Sequence, residues 1–212
     1  MPAKFLSENA SPKLLKYLAV HGYTVATLSR NDTVSFGISD HADVWHCRLG
    51  CHDDSPLISA SASELNKGYP AEAAFNAACT GRFFIHRLDI TAPRLLDAAA
   101  AMTMIDVRQG YTKCSTVIVD ENSIITYDRA IAAPCRQAGM EVLLVRPGHV
   151  ALPGYDTGFI GGASGRCGDS ILFNGDLSAH PEFNAIRAFI EDRGLSCLWF
   201  PECGLTDIGS IV

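Results

Sequence analysis

Cys114 stands in the run Gln109-Gly-Tyr-Thr-Lys-Cys-Ser-Thr116, where small and polar residues open an apolar stretch. Four other apolar stretches open in the same way, at His41 and Asp43, at Asn76, at Gly161-Gly162 and at Asp207. A buried strand more often begins with Val or Ile. A thiol, an imidazole and two carboxylates at matching places of repeated units can meet at one centre. Covalent catalysis needs a nucleophile, a proton carrier and a charge partner, and this set supplies all three. Each residue also has a plain structural reading. Cys114 fits as a small core residue, His41-Ala-Asp43 as a strand-entry turn, Asp207 as a solvated carboxylate and Asn76 as a hydrogen-bonded structural amide.

The elements around these residues repeat. The clearest unit has a strand over residues 114–120, a turn at Glu121-Asn122 and a partner strand over 123–127. Asp128 then caps a helix to about residue 138, Gly139 ends it, and a buried strand covers 141–145. Pro134 falls inside that helix and strains it. The same order is expected over 74–108, with Thr91 and Pro93 starting the helix, and over 158–200, with a helix from about 181 to 193 stopped by Gly194. The unit at 41–60 has two strands and a short or missing helix. The fifth unit is split: residues 207–211 supply its first strand, while Ser11-Pro12, the helix 13–21 and the strand 23–28 supply the rest. Asp43 and Asn76 are 33 residues apart and Asn76 and Cys114 are 38 apart, spacings that suit a repeat array. The expected architecture is a five-fold pseudo-symmetric α/β propeller forming one domain over 1–212, closed by pairing the two ends of the chain.

Composition narrows the function. The chain has 212 residues, 48% hydrophobic and 19% charged, which suits one compact core. Its net charge of −6 argues against a nucleic-acid footprint and suits a cationic substrate. No basic-then-apolar leader or membrane-length apolar run is legible, and the eight cysteines are scattered without a Cys-x-x-Cys. The expectation is a cytoplasmic, disulfide-free protein with no membrane partner. Cys47-x-x-x-Cys51-His52 has no second ligand pair at metal-site spacing, so neither a metal nor another cofactor is expected. Composition gives no oligomeric state.

The motifs resemble those of the pentein, or guanidine-modifying-enzyme, superfamily. His41-Ala-Asp43 is similar to its Gly-His-x-Asp, with Asp40 in place of the glycine. Lys113-Cys114-Ser-Thr is similar to its His-Cys-x-Thr nucleophile strand, and Phe75-Asn76 resembles an Asn-bearing strand of agmatine deiminases. Read cyclically from Gly161-Gly162, the order Asp207, His41-x-Asp43, Asn76, Cys114 is a circular shift of the deiminase ring. No Trp-x-Arg-Asp is present, and the Gly-Gly stretch carries no carboxylate. Small bacterial proteins with Gln-Gly-Tyr-x-Lys-Cys-Ser and Gly-Phe-Ile-Gly-Gly-Ala-Ser-Gly are similar too.

The resemblance implies Cys-dependent hydrolysis of a guanidine or amidine C–N bond in a small cationic molecule. Cys114 would attack, His41 would shuttle protons, and Asp43 with Asp207 would hold the cation. Asn76, Gly162, Ser164 and His149 would line the substrate pocket. The superfamily also contains a ribosome anti-association factor without chemistry, so a binding module on the same fold is the alternative.

Overall fold

The computed structural model describes residues 2–212. Its first elements are β1 (Ala3–Ser7), α1 (Pro12–Val20) and β2 (Thr24–Leu28), with β1 and β2 parallel. A short helix α2 (Ala42–Trp45) leads into β3 (His46–Arg48), which pairs antiparallel with β4 (Leu57–Ser59). Three fuller units follow. The first contains β5 (Ala78–Cys79), β6 (Phe83–His86), α3 (Pro93–Ala98) and β7 (Thr103–Asp106). The second contains β8 (Thr116–Ile118), β9 (Ser123–Thr126), α4 (Arg129–Gln137) and β10 (Glu141–Leu144). The third contains β11 (Ser164–Cys167), β12 (Ser170–Phe173), α5 (Phe183–Glu191) and β13 (Ser196–Trp199). In each, the first two strands form an antiparallel pair and the helix returns the chain to a third strand parallel to the second. The protein is therefore a mixed α/β structure of five small sheets.

The units form where the sequence places start and stop residues. Asp128 accepts a hydrogen bond from Ala130 N at 2.7 Å and caps α4. Gly139 follows at φ 88°, a conformation easy only for glycine. Pro134 lies inside α4 without ending it. Ile131 and Cys135 on the buried face of α4 pack with Ile85 and Ile124 of the neighbouring strands. Ile186 and Ile190 of α5 cover Phe173, and Leu14 and Leu18 of α1 cover Leu6 and Leu172. Replacing Asp128 with alanine is expected to cost about 1 kcal/mol, the usual worth of a helix N-cap. Urea unfolding would check it; an unchanged midpoint would mean that α4 is held by packing alone.

Several details differ from the expectation. The strands begin later: Cys114 lies in the turn before β8, and Gly161-Gly162 in the turn before β11. His41 and Asp43 belong to the entry of α2, with His41 at its N-cap, and not to a strand. Thr91 does not cap α3. Ala92 is the capping residue, while Thr91 Oγ1 donates to Arg87 O and meets the His86 ring. Strand β1 was not anticipated, because Lys-Phe-Leu-Ser is too short to show a period. Residues 207–212 form no regular strand, but Phe5 and Val212 exchange two backbone hydrogen bonds of 2.9 and 3.1 Å. All eight cysteines are free, and every one except Cys203 is buried. Among the described residues, no helix is long and apolar enough to cross a membrane.

Candidate active site

The five polar segments lie outside the strands, and each is hydrogen-bonded to the next. Asp43 N donates to Gly209 O at 3.0 Å, Ser210 N to Gly162 O at 2.7 Å and Gly162 N to Cys114 O at 2.7 Å. Lys113 N donates to Asn76 O at 2.9 Å. The Asn76 amide then reaches Asp43 O at 3.1 Å, and the series returns to its start. Glycine is required at two of these points. Gly209 sits at φ 69°, and a Cβ there would collide with His41. A Cβ at Gly162 would collide with the Asp207 carboxyl. These bare backbones let His41 and Asp207 come close together.

Cys114 lies at the middle of this layer and is 3% exposed. Its thiol donates to Asp43, with Sγ 3.1 and 3.0 Å from Oδ1 and Oδ2. Asn76 Nδ2 donates to the sulfur at 3.2 Å and to Asp43 Oδ1 at 3.0 Å, while its oxygen accepts from the Lys113 and Cys114 amides. Ser210 Oγ donates to Asp43 Oδ2 at 2.5 Å, and Lys113 Nζ donates to Ser210 Oγ at 3.0 Å. Ser210 is the one non-glycine residue at positive φ among those described, at 67°. Strain of this kind is held only where the surroundings enforce it, and here the result is a buried hydroxyl under the carboxylate.

Above the thiol is a cavity of about 100 Å³. His41, Cys114 and Asp207 supply its reactive groups, and Ile38, Val44, Leu152, Thr157, Tyr111, Tyr155 and Phe159 form its walls. Asp207 accepts from Phe159 N and Gly209 N, both at 2.9 Å, and its Oδ1 is 3.8 Å from His41 Nδ1. That histidine nitrogen is buried without a hydrogen-bond partner, so a small shift would complete its pair with Asp207. Glu72 holds the wall: it accepts from Tyr111 Oη at 2.6 Å and from Ser35 and Gly68 amides.

Burial, together with Asp43 and Asp207, pushes the Cys114 thiol well above its ordinary range, against the opposing hydrogen bond from Asn76. The resting group is thus a thiol. Burial also raises Asp207, with His41 opposing and Asp43 adding to the rise. Lys113 is lowered by burial, with Asp43 opposing.

A ring nitrogen of His41, a carboxylate oxygen of Asp43 and Cys114 Sγ all lie within 4.8 Å of one another. Among the described residues they are the group close enough to share a metal ion, whereas Cys47, Cys51 and His52 are not so grouped. Asp43 would have to give up Asn76, Ser210 or Cys114 to ligate one.

The structure therefore gathers Cys114, His41, Asp43, Asp207 and Asn76. It places Asp43 under the thiol, outside the cavity lining. Gly162 contributes backbone and space for Asp207. Ser164 is turned away, its hydroxyl donating to Gly161 O. His149 is exposed and packs edge-on against His180, with no place in the cavity, because the loop carrying it runs over the surface. Ser210 and the aromatic walls were missed. A serine after Gly209 in an apolar C-terminal run was the one available signal for the former.

The mixed α/β fold finds a counterpart among solved structures. The chain is similar to the C. jejuni agmatine deiminase, with a TM-score of 0.51 and 9% identity over 96% of this chain and 90% of that one. At that identity the likeness speaks for the fold, and it supports a pentein-like one. The chain belongs to a family of unknown function (DUF6873), whose model matches residues 5–212. No curated protein matches its sequence.

Proposed function

We propose that this protein is a Cys-dependent hydrolase of a guanidine or amidine C–N bond in a small cationic substrate. Its five units would form one pentein-like domain over 1–212, a five-fold α/β propeller closed through Phe5 and Val212. The observation that carries the reading is the placement of Cys114, His41 and Asp207 on one small cavity, with Asp43 directly beneath the thiol. A cavity of about 100 Å³ suits a planar head group. The faces of Tyr111, Tyr155 and Phe159 would favour a cation, and Asp207 would pair with its N–H groups.

A cation bound there offsets the negative charges that hold the thiol proton. Cys114 would lose that proton to His41, and its sulfur would form a bond to the central carbon while the C=N π pair moves to nitrogen. His41 would then give a proton to the leaving amine as the C–N bond breaks. Water would add to the thio-adduct as His41 takes its proton, and breaking the C–S bond would restore the thiol. Asp207 would hold the imidazolium through its Nδ1 side.

The test is ammonia release from arginine, agmatine, methylated arginines and simple amidines, combined with alkylation of Cys114. A neutral alkylating reagent should react with the resting protein ever faster as pH rises through 9, without a plateau, because burial and two carboxylates hold the thiol above that range. A bound cationic guanidine analogue should move the profile to lower pH. A plateau below pH 8 in the free protein would contradict this account of the site.

The second reading is a binding module without chemistry. It is favoured by the fourth turn, Gly161-Gly162, which adds no ionisable group. No ammonia from any compound, with Cys114 unreactive even when a guanidine analogue is bound, would select it.

A further inference from the structure

Lys113 and Cys114 are neighbours in the chain, yet they line different cavities that share no residue. The cavity at Lys113 is about 40 Å³. A single water needs roughly 10–15 Å³ on this scale, so there is room for a small polyatomic ion. Lys4, Arg48, Lys113 and Arg166 all line it, and no Asp or Glu does. The chain as a whole carries −6, so four cations facing one hollow run against its average. His46 and His52 also line it. Burial and Arg48 push His46 down to about 4, so that ring is neutral at pH 7. Asp53 offsets part of the charge, 2.9 Å from Lys4 Nζ.

The two arginines are fixed by groups that do not neutralise them. Arg48 donates to Asp53 O, Ser55 O and Ala3 O at 2.9, 3.0 and 3.2 Å. Its Nε is buried with no partner. Arg166 donates to Gly168 O and Val119 O, both at 3.0 Å. Main-chain carbonyls thus orient the guanidinium forks, and nearby Asp53 offsets only part of the charge on Arg48. Fixed forks with spare N–H groups bind oxyanions well.

We propose that this hollow binds a small oxyanion, such as inorganic phosphate or sulfate, through Arg48, Arg166 and Lys113. The site is also connected to the thiol. Lys113 Nζ donates to Ser210, Ser210 to Asp43, and Cys114 to Asp43. An anion beside Lys113 adds negative potential at Asp43 and makes the thiolate harder to form. A unit charge on the order of 10 Å away at an effective protein dielectric of about 20 changes that equilibrium roughly fifteenfold.

The experiment is thermal unfolding of the full chain in phosphate against sodium chloride of equal ionic strength. A saturable rise in Tm specific to phosphate is expected. It should be lost in Arg166→Gln and kept in Arg187→Gln, whose exposed guanidinium pairs with Glu191. If Arg166→Gln does not fold, calorimetric titration of phosphate into the unaltered chain decides, and absence of binding refutes the site. A phosphate shift no larger than the chloride shift, or one that survives in Arg166→Gln, also overturns it. Saturating phosphate should in addition slow Cys114 alkylation by a neutral reagent roughly fifteenfold. Binding with no change in that rate would overturn the link through Lys113. None of these readouts uses substrate turnover, so their failure is separate from failure of the hydrolase reading.

Discussion

Replacing Cys114 with serine is expected to remove ammonia release, by on the order of 10³-fold or more, while leaving the fold intact. The fold should survive because serine is slightly smaller and its hydroxyl can still donate to Asp43, as the thiol does at 3.0 and 3.1 Å. Unfolding free energy should therefore shift by less than about 1 kcal/mol. Activity should not survive, because two carboxylates and burial already disfavour ionisation of a thiol here, and a hydroxyl is far harder to ionise. Steady-state ammonia assays on an active substrate, with thermal unfolding in parallel, make the check. Retention of more than a tenth of the rate would rule out sulfur as the nucleophile.

Gly209→Ala should be strongly damaging to both stability and the site. An L-residue at φ 69° costs about 1–2 kcal/mol. The new Cβ would also run into His41, and forced overpacking adds about 1–3 kcal/mol. Gly139→Ala provides the comparison: it sits at φ 88° with nothing within 4 Å of its Cβ, so only the conformational cost applies. Denaturant midpoints should fall more for Gly209→Ala than for Gly139→Ala. Gly209→Ala should also displace His41 and abolish turnover, while Gly139→Ala leaves the rate unchanged. Equal losses of stability would show that contact with His41 is not what fixes a glycine at 209.

The parts of this fold legible in the sequence are those with local causes. Asp128, Gly139 and Gly194 mark helix ends because capping and positive φ depend on the residue itself. The repeat of strand, strand, helix and strand follows from that punctuation. Five of the residues that the structure gathers, Cys114, His41, Asp43, Asp207 and Asn76, were legible as polar residues that open apolar stretches. Their placement was not legible. Asp43 looked like a cation ligand, but contacts with Asn76 and Ser210 from distant segments put it beneath the thiol. His149 had a histidine's chemistry and a loop's position, and only tertiary packing could show that its loop faces away. Ser210 is held at φ 67° by what surrounds it, so no local rule marks it.

The hydrogen bonds that link the five segments also have a consequence in time. Asp43 and Ser210 are 167 residues apart in the chain, and Phe5 meets Val212. Contacts of such span form slowly, because a long loop must close before they give anything back. Residues 41–43 can pack into a helical turn early, but the carboxylate of Asp43 has no hydroxyl to meet until residues 207–210 arrive. The site is thus expected to assemble late, after the units between have taken shape. A growing or partly folded chain would carry Cys114 without its carboxylate floor or its cavity walls, as an ordinary thiol among eight.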